Sequence, residues 1–166
     1  MFKIKQKRSH DDFYLNEKFI IKEYYKFIIK RLNKNLNGKK VLDIGCATGD
    51  FLKFINIKFP KSKRYGLEIN KKLCSIAQKR KIAEKIFNKN ILKIKKFEKF
   101  DFIFISGVHS IFDDLFLLFS KLKMLMSSKN SEIYVFGIWN PYDVDVLVRL
   151  KKKNINIGRK DGMFFL

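Results

Sequence analysis

A glycine-rich stretch, VLDIGCATGDF at 41–51, holds the residues whose types and spacing are best suited to chemistry. Its apolar start is typical of a buried strand and its end of a helix start, with Gly45 and Gly49 in the turn between them. Glycine lets a turn bend sharply and lets the backbone approach a ligand closely. Asp43 places a carboxylate at the strand end, where open parallel sheets bind ligands. The stretch therefore predicts a cofactor-binding turn.

The spacing of this turn argues against a cofactor rich in phosphate. A dinucleotide fingerprint needs glycine at its first, third and sixth positions, but counting from Gly45 the chain has Ala47 third and Asp50 sixth. A Walker loop would continue from Gly49 with Lys and then Ser or Thr, whereas Asp50 follows here. A carboxylate beside a pyrophosphate is electrostatically unfavourable. We expect a cationic or zwitterionic ligand instead.

A second carboxylate stands at a suitable distance along the chain. Glu68 ends the apolar part of YGLEIN at 65–70 and follows Gly49 by 19 residues. An acidic residue about 20 positions after a glycine-rich turn can accept hydrogen bonds from ribose hydroxyls. Asp43 and Glu68 together predict a site for a nucleoside.

DIGCATG at 43–49 resembles the first motif of the class I S-adenosylmethionine-dependent methyltransferases. In that family the loop holds the methionine end and the ribose of the cofactor. The resemblance covers roughly residues 11–139. It implies that the cofactor is S-adenosyl-L-methionine, released as S-adenosyl-L-homocysteine, with no metal. The cofactor-binding residues that it implies are Asp43, Gly45, Cys46, Ala47, Gly49, Glu68, Ile69, Asn90, Ser106 and Gly107.

Three of these positions come from later segments of the chain. Asn90 stands near the place where the family often has an acidic residue for the adenine amino group, and its side-chain oxygen can still accept. Ser106 and Gly107 follow the fourth predicted strand, in the segment that passes the methyl donor. His109 is the candidate general base for the acceptor, because imidazole titrates near neutral pH. The alternatives are that His109 caps the next helix or packs in the loop.

Alternating strands and helices must position these residues. The pattern predicts strands at 41–44, 65–69, 86–87, 100–106 and 132–139, and helices at 15–32, 51–59, 71–81, 115–126 and 143–152. The first helix is expected to end near 37–38 and to cover the cofactor. Crossovers of this length imply a parallel sheet with helices on both faces. The fold class is α/β, a Rossmann-like three-layer sandwich.

The length of 166 residues fits one domain, with a helical cap at 1–37, a cofactor-binding core at 38–139 and a partial C-terminal region at 140–166. A complete sheet of the family has seven strands, so we expect some to be lacking here. An exposed sheet edge would then need a missing segment or a second copy of the chain to cover it.

The net charge of +21 comes from 37 Lys and Arg against 16 Asp and Glu. It permits a nucleic-acid partner, but Lys, Ile, Phe and Asn all have A/T-rich codons, so base composition is the favoured cause. No apolar run is long enough to span a bilayer. Two cysteines suit a reducing cytoplasm better than a disulfide framework.

These observations favour a cytoplasmic enzyme that methylates an oxygen or nitrogen of a small molecule, such as a sugar or a surface-polysaccharide precursor. Two alternatives remain open. One is an RNA methyltransferase that uses the basic surface, and the other is a catalytically silent binding or regulatory subunit.

Overall fold

The structure, a computed structural model, describes Tyr14, Leu15, Phe19 and residues 21–137. Two short 3₁₀ turns, Ile91–Lys93 and His109–Ile111, lie before and after the fourth strand. The other elements are, in chain order, α1 (Glu23–Leu32), β1 (Lys40–Ile44), α2 (Asp50–Lys58), β2 (Lys63–Leu67), α3 (Lys71–Lys79), β3 (Lys85–Phe87), β4 (Phe102–Ser106), α4 (Leu115–Met124) and β5 (Glu132–Phe136).

The five strands form one sheet in the order β3-β2-β1-β4-β5, and every pairing is parallel. The chain moves outward from β1 through β2 to β3 and then returns to place β4 on the other side of β1. Such a reversal of strand order opens a crevice at the carboxyl ends of the strands. The predicted α/β class and parallel sheet are confirmed.

Two apolar layers enclose the sheet. Val41, Phe102 and Phe104 face α1 and α2 in one cluster, whereas Leu42 and Ile103 face α4 in another. Strands buried on both faces are apolar without interruption, which explains the apolar runs of β1 and β4. The sheet therefore holds the ends of β1, β2 and β4 in fixed positions.

The helix predicted at 15–32 is not continuous in the described residues, because Leu15 is helical but Ile21 and Lys22 are not, and residues 16–18 and 20 lie outside the description. The described helix α1 begins at Glu23, because the backbone at Lys22 is extended, and it ends at Leu32. Asn33 then adopts a left-handed conformation with φ 46°, a common way to end a helix. The predicted end near 37–38 was wrong, since Gly38, with φ 76°, lies in a turn that leads into β1.

Other element ends also differ from the prediction. β2 stops at Leu67, so Glu68 and Ile69 follow the strand. α4 stops at Met124, and Met126 forms an isolated bridge to Phe100 ahead of β4. The predicted helix at 143–152 and the end of the strand predicted at 132–139 lie outside the described residues. Within the described part of the chain, no helix combines the length and the apolar content that crossing a membrane requires.

Candidate functional site

The glycine-rich turn joins β1 to α2 through an unusual backbone. Gly45, Ala47 and Gly49 all have positive φ, at 74°, 47° and 85°. The Gly45 amide donates to the Leu67 carbonyl at 2.7 Å, and the Gly49 amide donates to the Cys46 carbonyl at 2.7 Å. The turn is therefore curled against the end of β2. A left-handed conformation costs a residue with a side chain roughly 1–2 kcal/mol, so the surroundings must stabilise Ala47.

Close packing excludes side chains at both glycines of the turn. A Cβ on Gly45 would lie 2.8 Å from Cγ1 of Val108, and a Cβ on Gly49 would lie 2.3 Å from Cδ1 of Ile82. Both positions thus need glycine for its conformation and for its small size.

Glu68 fastens the turn to the end of β2. Its Oε2 accepts a hydrogen bond of 2.9 Å from the Ala47 amide, and its Oε1 accepts one of 2.8 Å from the Asn70 amide. Asn88 steadies the same segment, because its Nδ2 donates to the carbonyls of Glu68 and Ile69 at 2.8 and 2.9 Å. A carboxylate oxygen can accept more than one hydrogen bond. The buried Glu68 can therefore hold the turn and still accept from a ligand.

A hollow of about 190 Å³ lies beside Glu68, where β1, β2 and β4 end. Its polar lining residues are Glu68, Lys89 and Asn90. Gly45 of the turn also borders the hollow, and the rest of its lining is apolar. Its apolar lining comes from Ile44, Leu67, Ile69, Ile91, Leu92, Val108, Ile111 and Phe112. An apolar slot next to one carboxylate suits a base and a ribose, and the residues present fit a nucleoside cofactor.

Asn90 lies at this hollow and also shapes its wall. Its Oδ1 accepts a hydrogen bond of 2.9 Å from the Leu92 amide and so caps the turn Ile91–Lys93. One acceptor position of Oδ1 is therefore used within the chain. Contact between Asn90 and an adenine amino group stays a prediction.

Asp43 lies under the turn rather than among the residues that line the hollow. It pairs in register with Gly66, two residues before Glu68, and is only 4% exposed. Burial, and then the negative charge of Glu68, raise the pKa of the Asp43 carboxyl well above its usual range. Two carboxylates in this position favour a cation nearby, because a positive charge relieves their repulsion.

Cys46 is a packing residue of the turn. Its Sγ would lie 2.6 Å from a Cβ on Gly66, and its side chain belongs to a buried cluster with Leu52 and Cys74. Burial, and then the charge of Asp43, raise the pKa of the Cys46 thiol. Since the thiolate is the reactive form, this thiol is unsuited to nucleophilic chemistry.

The sequence-based argument against a phosphate-rich cofactor assumed that the Asp50 carboxylate is an unpaired charge at the site. In the structure this carboxylate is paired. The buried Asp50 carboxylate pairs with Nη1 of Arg80, which also donates to the Thr48 carbonyl at 3.0 Å. Arg80 follows Asp50 by 30 residues in the chain, so no local pattern indicated the pair. The preference for a cationic ligand therefore depends on Asp43 and Glu68.

Ser106 ends β4, Gly107 and His109 follow it, and none of the three lines the hollow. Gly107 has φ 72°, and its amide donates to the Phe136 carbonyl at 2.9 Å. The His109 side chain is 4% exposed and packs on Gly137, where an added Cβ would lie 1.8 Å from its Cε1. His109 does not cap the next helix, because the Asp114 carboxylate caps α4.

The sequence-based reasoning missed Tyr24 of α1. Its ring stacks on Phe136 at 5.5 Å between centroids, which places the phenol beside Ser106 at the end of β4. Burial raises the pKa of Tyr24, although the nearby Lys22 opposes this shift. The pairing between α1 and the end of β5 is a tertiary contact, and the helical spacing gave no signal for it.

The fold and the site define an α/β domain with a glycine-rich turn after β1 and an acidic residue after β2, beside a hollow at the carboxyl edge of the sheet. The methyltransferase domain family matches residues 42–129, which is more than half of the chain. The chain therefore belongs to this family, whose cofactor is S-adenosyl-L-methionine. No curated protein matches the sequence.

Solved structures share the fold at low sequence identity. The plantazolicin methyltransferase BpumL in complex with SAH gives a TM-score of 0.55 at 23% identity, over 76% of this chain and 44% of BpumL. Coclaurine N-methyltransferase, bound to N-methylheliamine and SAH, gives a TM-score of 0.60 at 14% identity, over 70% of this chain and 38% of that enzyme. A SAM-dependent methyltransferase from Aquifex aeolicus gives a TM-score of 0.53 at 20% identity, over 61% of this chain and 57% of that protein. This chain thus spans less than two thirds of the length of each.

Proposed function

We propose that this protein transfers a methyl group from S-adenosyl-L-methionine to an oxygen or nitrogen of a small molecule. The observation that carries the proposal is the Glu68 carboxylate, which lies beside the hollow while it fastens the glycine-rich turn. This arrangement offers an acceptor for ribose hydroxyls next to an apolar slot. The matched family domain supports the same reaction class.

Each part of the site has a separate role in holding the donor. Glu68 accepts from the ribose hydroxyls, Asn90 accepts from the adenine amino group, and Ile69 packs on the base. The curled turn from Gly45 to Gly49 lets the backbone approach the methionine end, and Asp43 supplies negative charge near its ammonium group. The residues that line the hollow exclude water from one face of the base.

The chemistry that S-adenosyl-L-methionine supplies when bound is an electrophilic methyl group on a positively charged sulfur. Transfer of such a group depends mainly on proximity and alignment. The protein therefore needs few catalytic side chains. In this proposal Ser106, at the end of β4, and Gly107, which follows it, lie beside the methyl donor.

We propose that His109 removes the proton from the acceptor. It lies three residues after the end of β4 and is buried against Gly137, which limits where its imidazole can lie. A positioned general base contributes roughly 10²–10⁴-fold to the rate. Tyr24 stacks on Phe136, the residue before the Gly137 that His109 contacts.

A small acceptor is consistent with the named activities of two structural neighbours, the plantazolicin and coclaurine methyltransferases. Within this class we propose a sugar or polysaccharide precursor as one candidate. A cytoplasmic setting is consistent with the two buried free thiols, Cys46 and Cys74.

The test of methyl transfer uses the full chain with S-adenosyl-L-methionine that carries an isotopic label in its methyl group. The protein is incubated with a metabolite extract, and mass spectrometry identifies labelled products. We expect labelled small molecules with the wild-type chain and about 100-fold less with His109→Gln, at unchanged cofactor affinity. Cofactor binding without any labelled product from the wild-type chain would instead favour a catalytically silent subunit.

A further inference from the structure

Three aromatic rings form a row over the outer part of the sheet. Tyr65 of β2 and Phe87 of β3 stack with their centroids 6.5 Å apart and their planes at 12°. Phe97, in the segment after β3, meets Phe87 edge-on at 4.6 Å. All three side chains are partly exposed. We call these three residues the aromatic strip.

The strip lies on the same face of the sheet as α4, over the part of that face that no described helix covers. α4 packs over β4, where Leu118 and Leu122 join Ile103 in the core. Over β2 and β3, the described segment 88–101 contains only the turn Ile91–Lys93 as a helical element. The rings of the strip are thus partly exposed, while Tyr65 and Phe97 also contact the buried Phe100 at 5.3 and 6.2 Å between centroids.

A lysine ammonium stands over each ring of the strip. Lys40 Nζ lies 5.8 Å from the Tyr65 centroid, Lys85 Nζ 5.0 Å from that of Phe87, and Lys89 Nζ 5.3 Å from that of Phe97. These are cation–π distances. Two further exposed lysines, Lys95 and Lys96, belong to the segment that carries Phe97.

Two carboxylates lie next to Lys40. Glu98 pairs with its ammonium at 3.7 Å, with both side chains about two-fifths exposed, and Asp101 accepts from its backbone amide at 2.9 Å. Five lysines therefore face two carboxylates here. The surface is therefore strongly positive and carries aromatic rings between its cations. A second copy of this chain, with the same charge of +21, would be repelled by it.

We propose that the aromatic strip binds single-stranded RNA. Unpaired bases stack on exposed aromatic rings, and lysines contact the phosphates between them. Lys85 and Lys89 are exposed and can move from the ring faces to the phosphates while bases replace them. Since lysine is a point charge without the fork of arginine, the surface has little preference for sequence. This binding needs no cofactor, although Lys89 also lines the hollow beside Glu68.

The first test measures the fluorescence anisotropy of a labelled oligouridylate titrated with the full chain. We expect Lys85→Gln combined with Lys89→Gln to weaken binding about tenfold at low salt. The slope of log affinity against log salt should also fall by about 0.7 for each lysine that contacts a phosphate. The matched control is Lys58→Gln with Lys72→Gln, which removes two exposed lysines from α2 and α3 on the opposite face.

The second test separates stacking from charge. Phe97→Leu removes a ring but keeps an apolar side chain, so we expect about fivefold weaker oligouridylate binding with unchanged retention on heparin. Equal losses of RNA affinity in the Lys85/Lys89 double variant and in the Lys58/Lys72 control would overturn the proposal. Unchanged RNA affinity in Phe97→Leu would also overturn it. Tighter binding of the matching single-stranded DNA would overturn the assignment to RNA. Circular dichroism checks that each variant is folded.

Discussion

The carboxylate of Glu68 accepts a hydrogen bond of 2.9 Å from the amide of Ala47, the residue with φ 47° at the centre of the glycine-rich turn. This bond joins the end of β2 to the loop after β1. One side chain therefore fixes the shape of the turn and faces the hollow where the ribose is proposed to lie. Loop geometry and cofactor affinity should change together when Glu68 is altered.

The first prediction concerns Glu68→Ala. Loss of the carboxylate leaves the Ala47 amide without its acceptor, so hydrogen exchange at that amide should accelerate at least tenfold while exchange in the core of β4 is unchanged. A buried amide that loses its partner costs about 1–3 kcal/mol, and the melting temperature should fall accordingly. Glu84→Ala is the control, because Glu84 is exposed and remote from the turn. Continued protection of the Ala47 amide in Glu68→Ala would contradict the proposed anchoring.

The second prediction compares two glycines with positive φ. Gly38→Ala has no atom within 4 Å of the new Cβ, so it should cost only the strain of a left-handed alanine, about 1 kcal/mol. Gly49→Ala adds a clash of 2.3 Å with Cδ1 of Ile82, and overpacking of this kind costs about 1–3 kcal/mol more.

Urea denaturation of both variants measures the difference. Shortening the clashing side chain with Ile82→Val should recover part of the loss in Gly49→Ala. Equal destabilisation by the two alanines would show that the turn does not depend on close packing with α3 and the segment after it.

Part of this arrangement is readable in the sequence and part is not. The apolar runs of β1 and β4 and the glycine turn are local patterns, and they predicted the parallel sheet and the placing of Asp43 and Glu68 at its carboxyl edge. The end of α1 was predicted too late. Both Asn33 and Gly38 can adopt the left-handed conformation that ends a helix, and glycine is the stronger sequence signal, but the helix ends at Asn33. Local propensity alone does not decide between two such C-cap positions.

The missed parts of the site are contacts between residues far apart in the chain. The pairing of Asp50 with Arg80 and the stacking of Tyr24 on Phe136 depend on how helices pack on the sheet. No spacing rule in the sequence encodes either contact. For the same reason the role of Gly137, which makes room for His109, became visible only in the fold.

The third prediction concerns the pH dependence of stability. The pKa of Asp43 is raised by burial and by Glu68, so the folded state binds this proton more tightly than the unfolded state. The stability that this proton gives is present below the usual carboxyl pKa, about 4, and is lost as the pH rises toward the raised value. Asp43→Asn should therefore be more stable than the wild type near neutral pH, by on the order of 1 kcal/mol, and should bind the cofactor more weakly.

Asp101→Asn is the control with the opposite sign. Although burial raises the pKa of Asp101, hydrogen bonds from the Lys40 amide and Ser127 lower it overall. The stability from Asp101 is present above the usual carboxyl pKa and is lost as the pH falls through the lowered value. Unfolding free energies measured from acid to neutral pH should diverge from the wild type in opposite directions for the two variants. Parallel curves would contradict the raised pKa of Asp43.

The fourth prediction concerns the support of His109. Gly137→Ala places a methyl group 1.8 Å from Cε1 of His109, so the imidazole must move. We expect methyl transfer to fall at least tenfold while cofactor affinity stays within twofold, because the hollow does not include Gly137. The double variant with His109→Ala should be more stable than Gly137→Ala alone, as the smaller side chain removes the clash. Additive effects of the two changes on stability would rule out this contact.

Calorimetric titration of the full chain with S-adenosyl-L-homocysteine tests the central claim most directly, because it needs no methyl acceptor. We expect binding at one site on the wild-type protein and at least tenfold weaker binding by Glu68→Ala at a temperature where both are folded. We also expect competition by adenosine, which lacks the amino-acid part but fills the hollow beside Glu68. No measurable binding to the wild-type chain, or equal affinity in Glu68→Ala, would contradict the central claim.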